Sequence, residues 1–283
     1  MKGRKRYVVI VALLISLIYF FYFQNNVIQT TEHTISSSKI PKSFDGYKIV
    51  QLSDLHSKSF GANQRKIVKR TENSNPDLIV FTGDLVDSKK YDEEVSLLLM
   101  EELVKIAPVY FVTGNHEWWS GKFDILEAEL IDAGVNVMRN SAEEISIGDD
   151  KIQLVGIDDP AKVQSLSTDT EITESAITEA IEEVADETGF NILFSHRPEL
   201  LSLYIQYDFD LVFTGHAHGG QFRLPFMGGI VAPDQGMFPE YTSGKYTLEN
   251  TTMIVNRGLG NSIIPIRLFN RPELVVVTLE ANY

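Results

Sequence analysis

After residue 46 the chain shows short apolar runs of strand length: "YKIVQL" (47–52), "LIVFT" (78–82), "VYFVT" (109–113), "IQLVGI" (152–157), "NILFS" (191–195), "LVFT" (211–214), "MIVN" (253–256) and "LVVVTL" (274–279). Between several of them, apolar positions recur at helical spacing. These stretches are Gln64–Asn73, Glu93–Ile106, Phe123–Ala133 and Glu171–Thr188, the last two with acids on the solvent side. Strands alternating with helices predict α/β layering, and continuous Val/Ile/Leu runs predict strands covered on both faces. From Pro225 to Gly244 the pattern dissolves into Gly, Pro and Met, which predicts a long ordered loop. No internal repeat interrupts this, so residues 46–283 are expected to form one domain.

A different pattern precedes it. Tyr7–Phe23, "YVVIVALLISLIYFFYF", contains no charged residue, and as a helix it spans ~25 Å, the short end of what crosses a bilayer. Tyr7, Tyr19 and Tyr22 lie towards its ends, where an aromatic belt belongs. A cleaved signal peptide is the competing reading, but the run exceeds a usual h-region and "FYFQNNVIQT" lacks a small-x-small cleavage pattern. The expected organisation is a basic cytoplasmic tail (1–6), a single-pass transmembrane anchor (7–23), a polar tether with a possible edge strand (24–45), and a catalytic domain (46–283). Basic residues before the span orient that domain outside the cytoplasm.

Composition narrows the chemistry. The 283 residues include no cysteine, which excludes disulfides, thiolate metal sites and a cysteine nucleophile. The net charge is −14, and four of the 25 basic residues (Lys2, Arg4, Lys5, Arg6) precede the first acid. An acidic body repels nucleic acid, so no nucleic-acid partner is expected unless bound cations reverse the field locally.

The informative residues follow the apolar runs. "IVQLSDLH" ends in Asp54 and His56, "IVFTGDLVD" in Asp84 and Asp87, "YFVTGNHE" in Asn115 and His116, "ILFSHRPE" in His196, and "LVFTGHAH" in His216 and His218. Five of the six histidines are thereby placed at strand ends, where open α/β sheets collect their ligands. One Asp-x-His or one Thr-Gly-Asp is commonly a turn; five such endings in order point to a metal site. Carboxylate, amide oxygen and neutral imidazole suit Mn²⁺, Fe or Zn²⁺, whereas Mg²⁺ and Ca²⁺ favour all-oxygen shells. Gly83, Gly114 and Gly215 each precede a proposed ligand and allow a sharp turn with close backbone approach. The small residues of "TGHAHGGQ" (214–221) are expected to leave room for ions and a phosphate.

In order, D-x-H, G-D-x-x-D, G-N-H-E, a strand ending in His, and G-H-x-H resemble the calcineurin-like metallophosphoesterases, from about Ile49 to His218. Beyond these, "GHAHGGQFRLPF", "NRGLG" and "PIRLFNRPELVVVTL" resemble the exported or membrane-anchored bacterial branch of that family. The resemblance implies a four-layer αββα sandwich preceded by one transmembrane helix. It implies two divalent ions: Asp54, His56 and His218 on the first, Asp84 bridging, and Asn115, His196 and His216 on the second. His116 is then the catalytic proton donor, with Asp87 orienting it. The family continues after that Asp with Arg-Gly, whereas this chain reads "DSKK", so Arg197 or Arg257 would have to replace the missing phosphate-binding arginine or serve in an ion pair.

The implied reaction is hydrolysis of a phosphomonoester, phosphodiester or pyrophosphate by a metal-activated hydroxide. A lipid-linked or nucleotide-sugar substrate follows only from the anchor's location. The alternative is a metal-binding, non-catalytic interaction module on the same fold. Trp118 and Trp119 either stack on a substrate or dip into lipid, or one packs in the core with the other at the rim. Asp158 and Asp159 either face the site or cap a loop, and "FRLPFMGG" is either an acyl-accepting loop or a packed lid.

Overall fold

A computed structural model describes residues 2–182, 189–261 and 265–282. Its architecture follows from which way alternate side chains point. In β3 (Leu78–Thr82), Leu78 and Val80 enter one buried cluster while Ile79 and Phe81 enter another. In β8 (Asn191–Phe194) and β9 (Leu211–Thr214), Ile192, Phe194, Leu211 and Phe213 join the first of these, and Leu193 and Val212 a third. Three apolar layers therefore separate four layers of structure.

The first sheet has the order β1-β16-β2-β3-β4-β5, built from β1 (Gln29–Ser37), β2 (Lys48–Leu52), β3, β4 (Val109–Val112), β5 (Asn136–Val137) and β16 (Glu273–Ala281). Strands β2 to β5 run parallel, and β16 lies antiparallel to β2. The second has the order β14-β15-β9-β8-β7-β6, from β6 (Ser141–Ile147), β7 (Asp150–Gly156), β8, β9, β14 (Gly244–Leu248) and β15 (Thr251–Val255). Here β7, β8, β9 and β15 are parallel. Helices α2 (Arg65–Ser74), α3 (Glu93–Leu103) and α5 (Phe123–Asp132) cover the first sheet through Ile67, Leu99, Met100 and Leu126. Helices α6 (Asp169–Ile181) and α7 (Leu201–Tyr204) cover the second through Ile177, Leu201 and Tyr204. The fold is the αββα sandwich. The predicted helix Glu171–Thr188 is α6 up to Ile181; its residues 183–188 lie outside the described residues.

Helix α1 (Lys2–Asn26) is 25 residues long, ~37 Å at 1.5 Å per residue, and bears exposed Leu13, Ile15, Ile18 and Tyr19. Asn25 and Asn26 fold their amides back onto the Phe21 and Tyr22 carbonyls at 2.8 and 2.9 Å, closing the last turn. Its foot is fastened to the sandwich: Phe20 meets Phe269 edge-on with centroids 5.8 Å apart, and the Arg267 amide donates to Asn25 Oδ1 at 3.0 Å. The stretch read as a tether contains β1, which pairs with β16 along nine positions, and buries Phe44 between the sheets. The predicted loop Pro225–Gly244 spans two small hairpins, β10 (Arg223–Leu224) with β11 (Gly228–Gly229) and β12 (Val231–Ala232) with β13 (Gly236–Met237).

Candidate metal centre

The parallel strands of both sheets deliver their carboxyl ends to one rim, and the chain turns sharply as it leaves each. Asp54, His56, Asp84, His216 and His218 all adopt left-handed backbone conformations, with φ of 51°, 49°, 54°, 62° and 48°. A non-glycine residue held there costs about 1–3 kcal/mol and persists only where neighbours over-determine it. The neighbours are backbone bonds between the turns: Asp54 N to Gly83 O at 2.9 Å, His56 N to Asp84 O at 3.0 Å and Gly215 N to His196 O at 3.1 Å. Gln51 Nε2 donates to the Thr214 carbonyl at 2.8 Å and ties the two sheets together beneath the rim.

The glycines are needed for packing. A Cβ on Gly83 would stand 2.5 Å from Gly114 N and 2.7 Å from His196 Nδ1, and one on Gly215 would collide with Ser53 Oγ. The reading of "TGHAHGGQ" as space for ions and phosphate needs correcting: a Cβ on Gly219 or Gly220 would strike Asn270 or Gly229, so protein fills that room.

The rim gathers all seven expected ligands, each buried. Donor atoms of Asp54, His56, Asp84 and His218 lie within 4.8 Å of one another, as do those of Asp84, His196 and His216. Asp84 belongs to both groups; its Oδ2 stands 3.6 Å from His56 Nε2 and 3.4 Å from His196 Nε2. His56 Nε2 faces His218 Nε2 at 3.0 Å, and His216 Nδ1 faces His196 Nε2 at 3.1 Å. Asp54 Oδ1 is 3.3 Å from His218 Nε2. Asp54 Oδ2 and Asn115 Oδ1 are buried with no hydrogen-bond partner. Buried polar atoms without partners are costly, and lone pairs converging from carboxylates, imidazoles and an amide are what a divalent cation takes up. The donor set fits metal.

The electrostatics agree. Burial pushes the Asp54 carboxyl up to about 6, with Asp84 adding to the rise, and burial drives His56 down to about 3 and His218 well below its ordinary value. Burial alone would lower His196 too, but Asp84 beside it lifts it to about 10. Asp84 is held well below the carboxylate range by His196 and His56 despite its burial.

Neighbouring acceptors fix the tautomers. His196 Nδ1 lies 2.7 Å from the Thr82 carbonyl, which leaves Nε2 for the cluster. His216 Nε2 lies 3.0 Å from Asp234 Oδ2, which leaves Nδ1. Asp234 comes from the loop between β12 and β13 and carried no signal in the sequence pattern. Glu117 was also missed, although it completes the G-N-H-E run. Its wholly buried carboxylate accepts the amides of Asp84 (2.8 Å), Leu85 (2.8 Å), Val86 (3.2 Å) and Gly114 (2.7 Å). It binds the turn after β3 to the turn after β4.

His116 is buried beside the cluster, its ring 4.5 Å from that of His56 between centroids. Its expected hydrogen bond to Asp87 is replaced: His116 Nδ1 accepts the Ser88 amide at 3.0 Å, while Asp87 Oδ1 accepts the amides of Lys89 and Lys90, each at 2.8 Å. Asp87 Oδ2 lies 3.8 Å from His56 Nδ1. Both arginines considered for phosphate binding are ion-paired, Arg197 with Asp159 (2.6 Å) and Asp234, and Arg257 with Glu273 (2.7 Å). Asp158 is held by Arg139 and Lys162. Trp118 packs on Phe123 and donates to Thr113, while Trp119 is exposed at the rim.

Above the cluster opens a cavity of about 520 Å³, with Asp84, Asn115 and His116 in its lining and Lys58, Lys89 and Lys90 around it. Buried carboxylates and imidazoles at the joint rim of an αββα sandwich define a metal-dependent hydrolase of phosphate esters. The chain belongs to the calcineurin-like phosphoesterase family, which it matches over residues 47–220. It is 37% identical over 262 residues to the uncharacterized metallophosphoesterase YkuE of Bacillus subtilis, covering 91% of this chain and 87% of that one. It is 31% identical to a transmembrane protein with a metallophosphoesterase domain from Danio rerio, over 87% of this chain and 56% of that one. In fold it resembles the phosphopantetheinyl hydrolase PptH of Mycobacterium tuberculosis, with a TM-score of 0.52 at 13% identity, covering 76% of this chain and 91% of that one.

Proposed function

We propose that this chain is a binuclear metallophosphoesterase anchored in the cell membrane by α1, with its catalytic domain outside the cytoplasm, hydrolysing phosphomonoester, phosphodiester or pyrophosphate bonds. The observation that carries the reading is the position of Asp84, whose carboxylate is common to both donor groups. Asp54, His56 and His218 would hold one ion, Asn115, His196 and His216 the other, and Asp84 both. Bound divalent cations of the Mn²⁺, Fe or Zn²⁺ type supply an activated water near neutral pH and offset charge on the phosphoryl oxygens.

The remaining work falls to the chain's own groups. The Ser88 amide on Nδ1 fixes the N–H of His116 on Nε2, which would donate a hydrogen bond to the leaving oxygen and offset the charge developing there. With Arg197 and Arg257 ion-paired, the positive charge that meets the phosphate comes from Lys89 and Lys90, since burial pushes the neighbouring Lys58 down to about 7. Trp119 stands beside the His116 ring, 5.4 Å between centroids, and shields it from water on that side.

Location supports a substrate at headgroup depth, a lipid-linked or nucleotide-sugar phosphate. Lys58, which lines the cavity, donates to the Asn25 carbonyl at the foot of α1 at 2.6 Å. A non-catalytic binding module on the same fold would have no need of a complete ligand set with a proton-bearing histidine beside it. The test is hydrolysis of bis-p-nitrophenyl phosphate by the purified chain with Mn²⁺. Asp84→Ala loses metal and turnover together, whereas His116→Ala keeps the metal and loses about 10²–10⁴-fold in turnover. Wild-type turnover in His116→Ala would exclude its role, and metal binding without hydrolysis in the parent would favour the binding module. Protease accessibility in sealed vesicles reports the orientation.

A further inference from the structure

A second cavity lies away from the metal centre. It is a groove of about 850 Å³ between α2 and the edge strand β1, closed at one end by Asn26, Val27 and Ile28, where α1 joins the sandwich. Its charge runs against that of the whole chain. Arg65, Lys66, Lys69, Arg70 and Lys48 line it, and Glu32 is the one acid in its lining. On α2, Lys66, Lys69, Arg70 and Asn73 follow helical spacing and form one stripe, while Ile67 and Thr71 are buried on the other face. Arg70 donates to Thr30 Oγ1 at 3.0 Å. Arg65, Lys66 and Lys69 are exposed and meet no carboxylate among the described residues. Like charges three and four apart on a helix repel, so an anion in the groove would stabilise this stripe.

The position of the groove identifies that anion. The apolar run of α1 ends at Phe23, Tyr19 and Tyr22 are exposed just before it, and Asn26 already lines the groove. Tyrosines at this level mark the membrane–water interface, so the groove opens at headgroup depth in the leaflet from which α1 emerges. We propose that the α2 groove binds the phosphodiester headgroup of an anionic phospholipid, and that this contact fixes the catalytic domain against the bilayer. The proposal rests on the reading of α1 as a membrane anchor.

The test uses the full chain in nanodiscs of phosphatidylcholine containing a trace of photoactivatable phosphatidylglycerol. Labelling is expected on α2, and Arg65→Gln/Lys66→Gln/Lys69→Gln should reduce it by at least five-fold, the weight of about one basic side chain at an anionic surface. That variant should retain its metal and its turnover of a soluble phosphodiester, because none of the three residues lines the catalytic cavity. Equal labelling of the variant, or equal labelling of the parent by photoactivatable phosphatidylcholine, overturns the proposal. Abolition of labelling by soluble glycerol phosphate reassigns the groove to free phosphate and overturns the lipid assignment. Insertion is read separately from recovery with the nanodisc: a chain that inserts without labelling defeats the groove alone, and one that fails to insert defeats the anchor as well.

Discussion

Glu117 offers the sharpest test of how the site is held, because it touches no expected ligand side chain yet fixes the backbone of Asp84. Glu117→Gln preserves shape and removes one acceptor oxygen. The surviving oxygen can keep the shorter pair, to Asp84 N at 2.8 Å and Gly114 N at 2.7 Å; Leu85 N and Val86 N then face a donating amide. Two buried amides lose their partners, and at about 1–3 kcal/mol each the loss is roughly 2–6 kcal/mol. For a domain of this size that lowers Tm by roughly 10 °C. The damage concentrates at the turn that keeps Asp84 at a φ of 54°, so metal should be lost before the fold. Burial and Asp84 push the Glu117 carboxyl up to about 8, whereas four converging amides favour the anion. Removing the charge alone therefore leaves the acceptor count as the decisive change. Thermal unfolding and metal content by mass spectrometry are the assays, with Glu102→Gln, which breaks only an ion pair to the exposed Lys105, as control. If Glu117→Gln keeps full metal and a Tm within about 1 °C of the parent, the bracing argument is wrong, since the same cost would be absent.

Three further outcomes are expected. Asp234→Asn, which weakens the group facing His216 Nε2 at 3.0 Å, should reduce metal affinity about 10–100-fold with little change in Tm; an unchanged affinity by competition with a chelator would remove its orienting role. His196, lifted from 6.5 to about 10 by Asp84 against its burial, must shed a proton when metal binds, so apparent Mn²⁺ affinity should rise up to about tenfold per unit between about pH 7 and pH 9. An affinity that levels off just above the ordinary histidine value would contradict this. Lys89→Gln/Lys90→Gln should raise KM for a phosphodiester about five-fold or more while the metal stays bound, as expected for two rim charges worth about 1 kcal/mol together; an unchanged KM would move phosphate binding elsewhere.

Much of this molecule was legible because its central strands and its ligands share one grammar. A fully covered parallel strand reads as a continuous apolar run, and β2, β3, β4, β8 and β9 each match one. Their ligands follow directly in sequence. Among the strands that went unread, β6 and β14 are solvent-facing members of antiparallel pairs at the sheet edge. β6 reads "SAEEISI", with most of its side chains exposed, so water satisfies one face and no apolar run is required. Asp234 and the Ser88 amide were hidden for another reason. Each acts through a contact between segments far apart in sequence, and a backbone donor leaves no residue-type signal at all. Glu117 was visible as a residue, but its four amide partners exist only once the turns after β3 and β4 have met.

The distribution of charge sets where phosphate can approach the site. A chain carrying −14 overall repels phosphate at long range, so a substrate has to approach where the field is locally reversed. Two such places are visible: Lys89 and Lys90 line the catalytic cavity, and Arg65, Lys66 and Lys69 line the groove that Asn26 closes. Arg197 and Arg257, deeper in the fold, are neutralised by Asp159, Asp234 and Glu273. Lysine in place of the family's arginine fits this layout. A planar guanidinium holds one bidentate geometry, whereas flexible ammonium groups at a rim attract phosphate without fixing its orientation. Attraction at the rim and orientation at the metal centre would thereby be divided between different residues, which is why loss of the rim lysines should register in KM and loss of Asp84 in turnover.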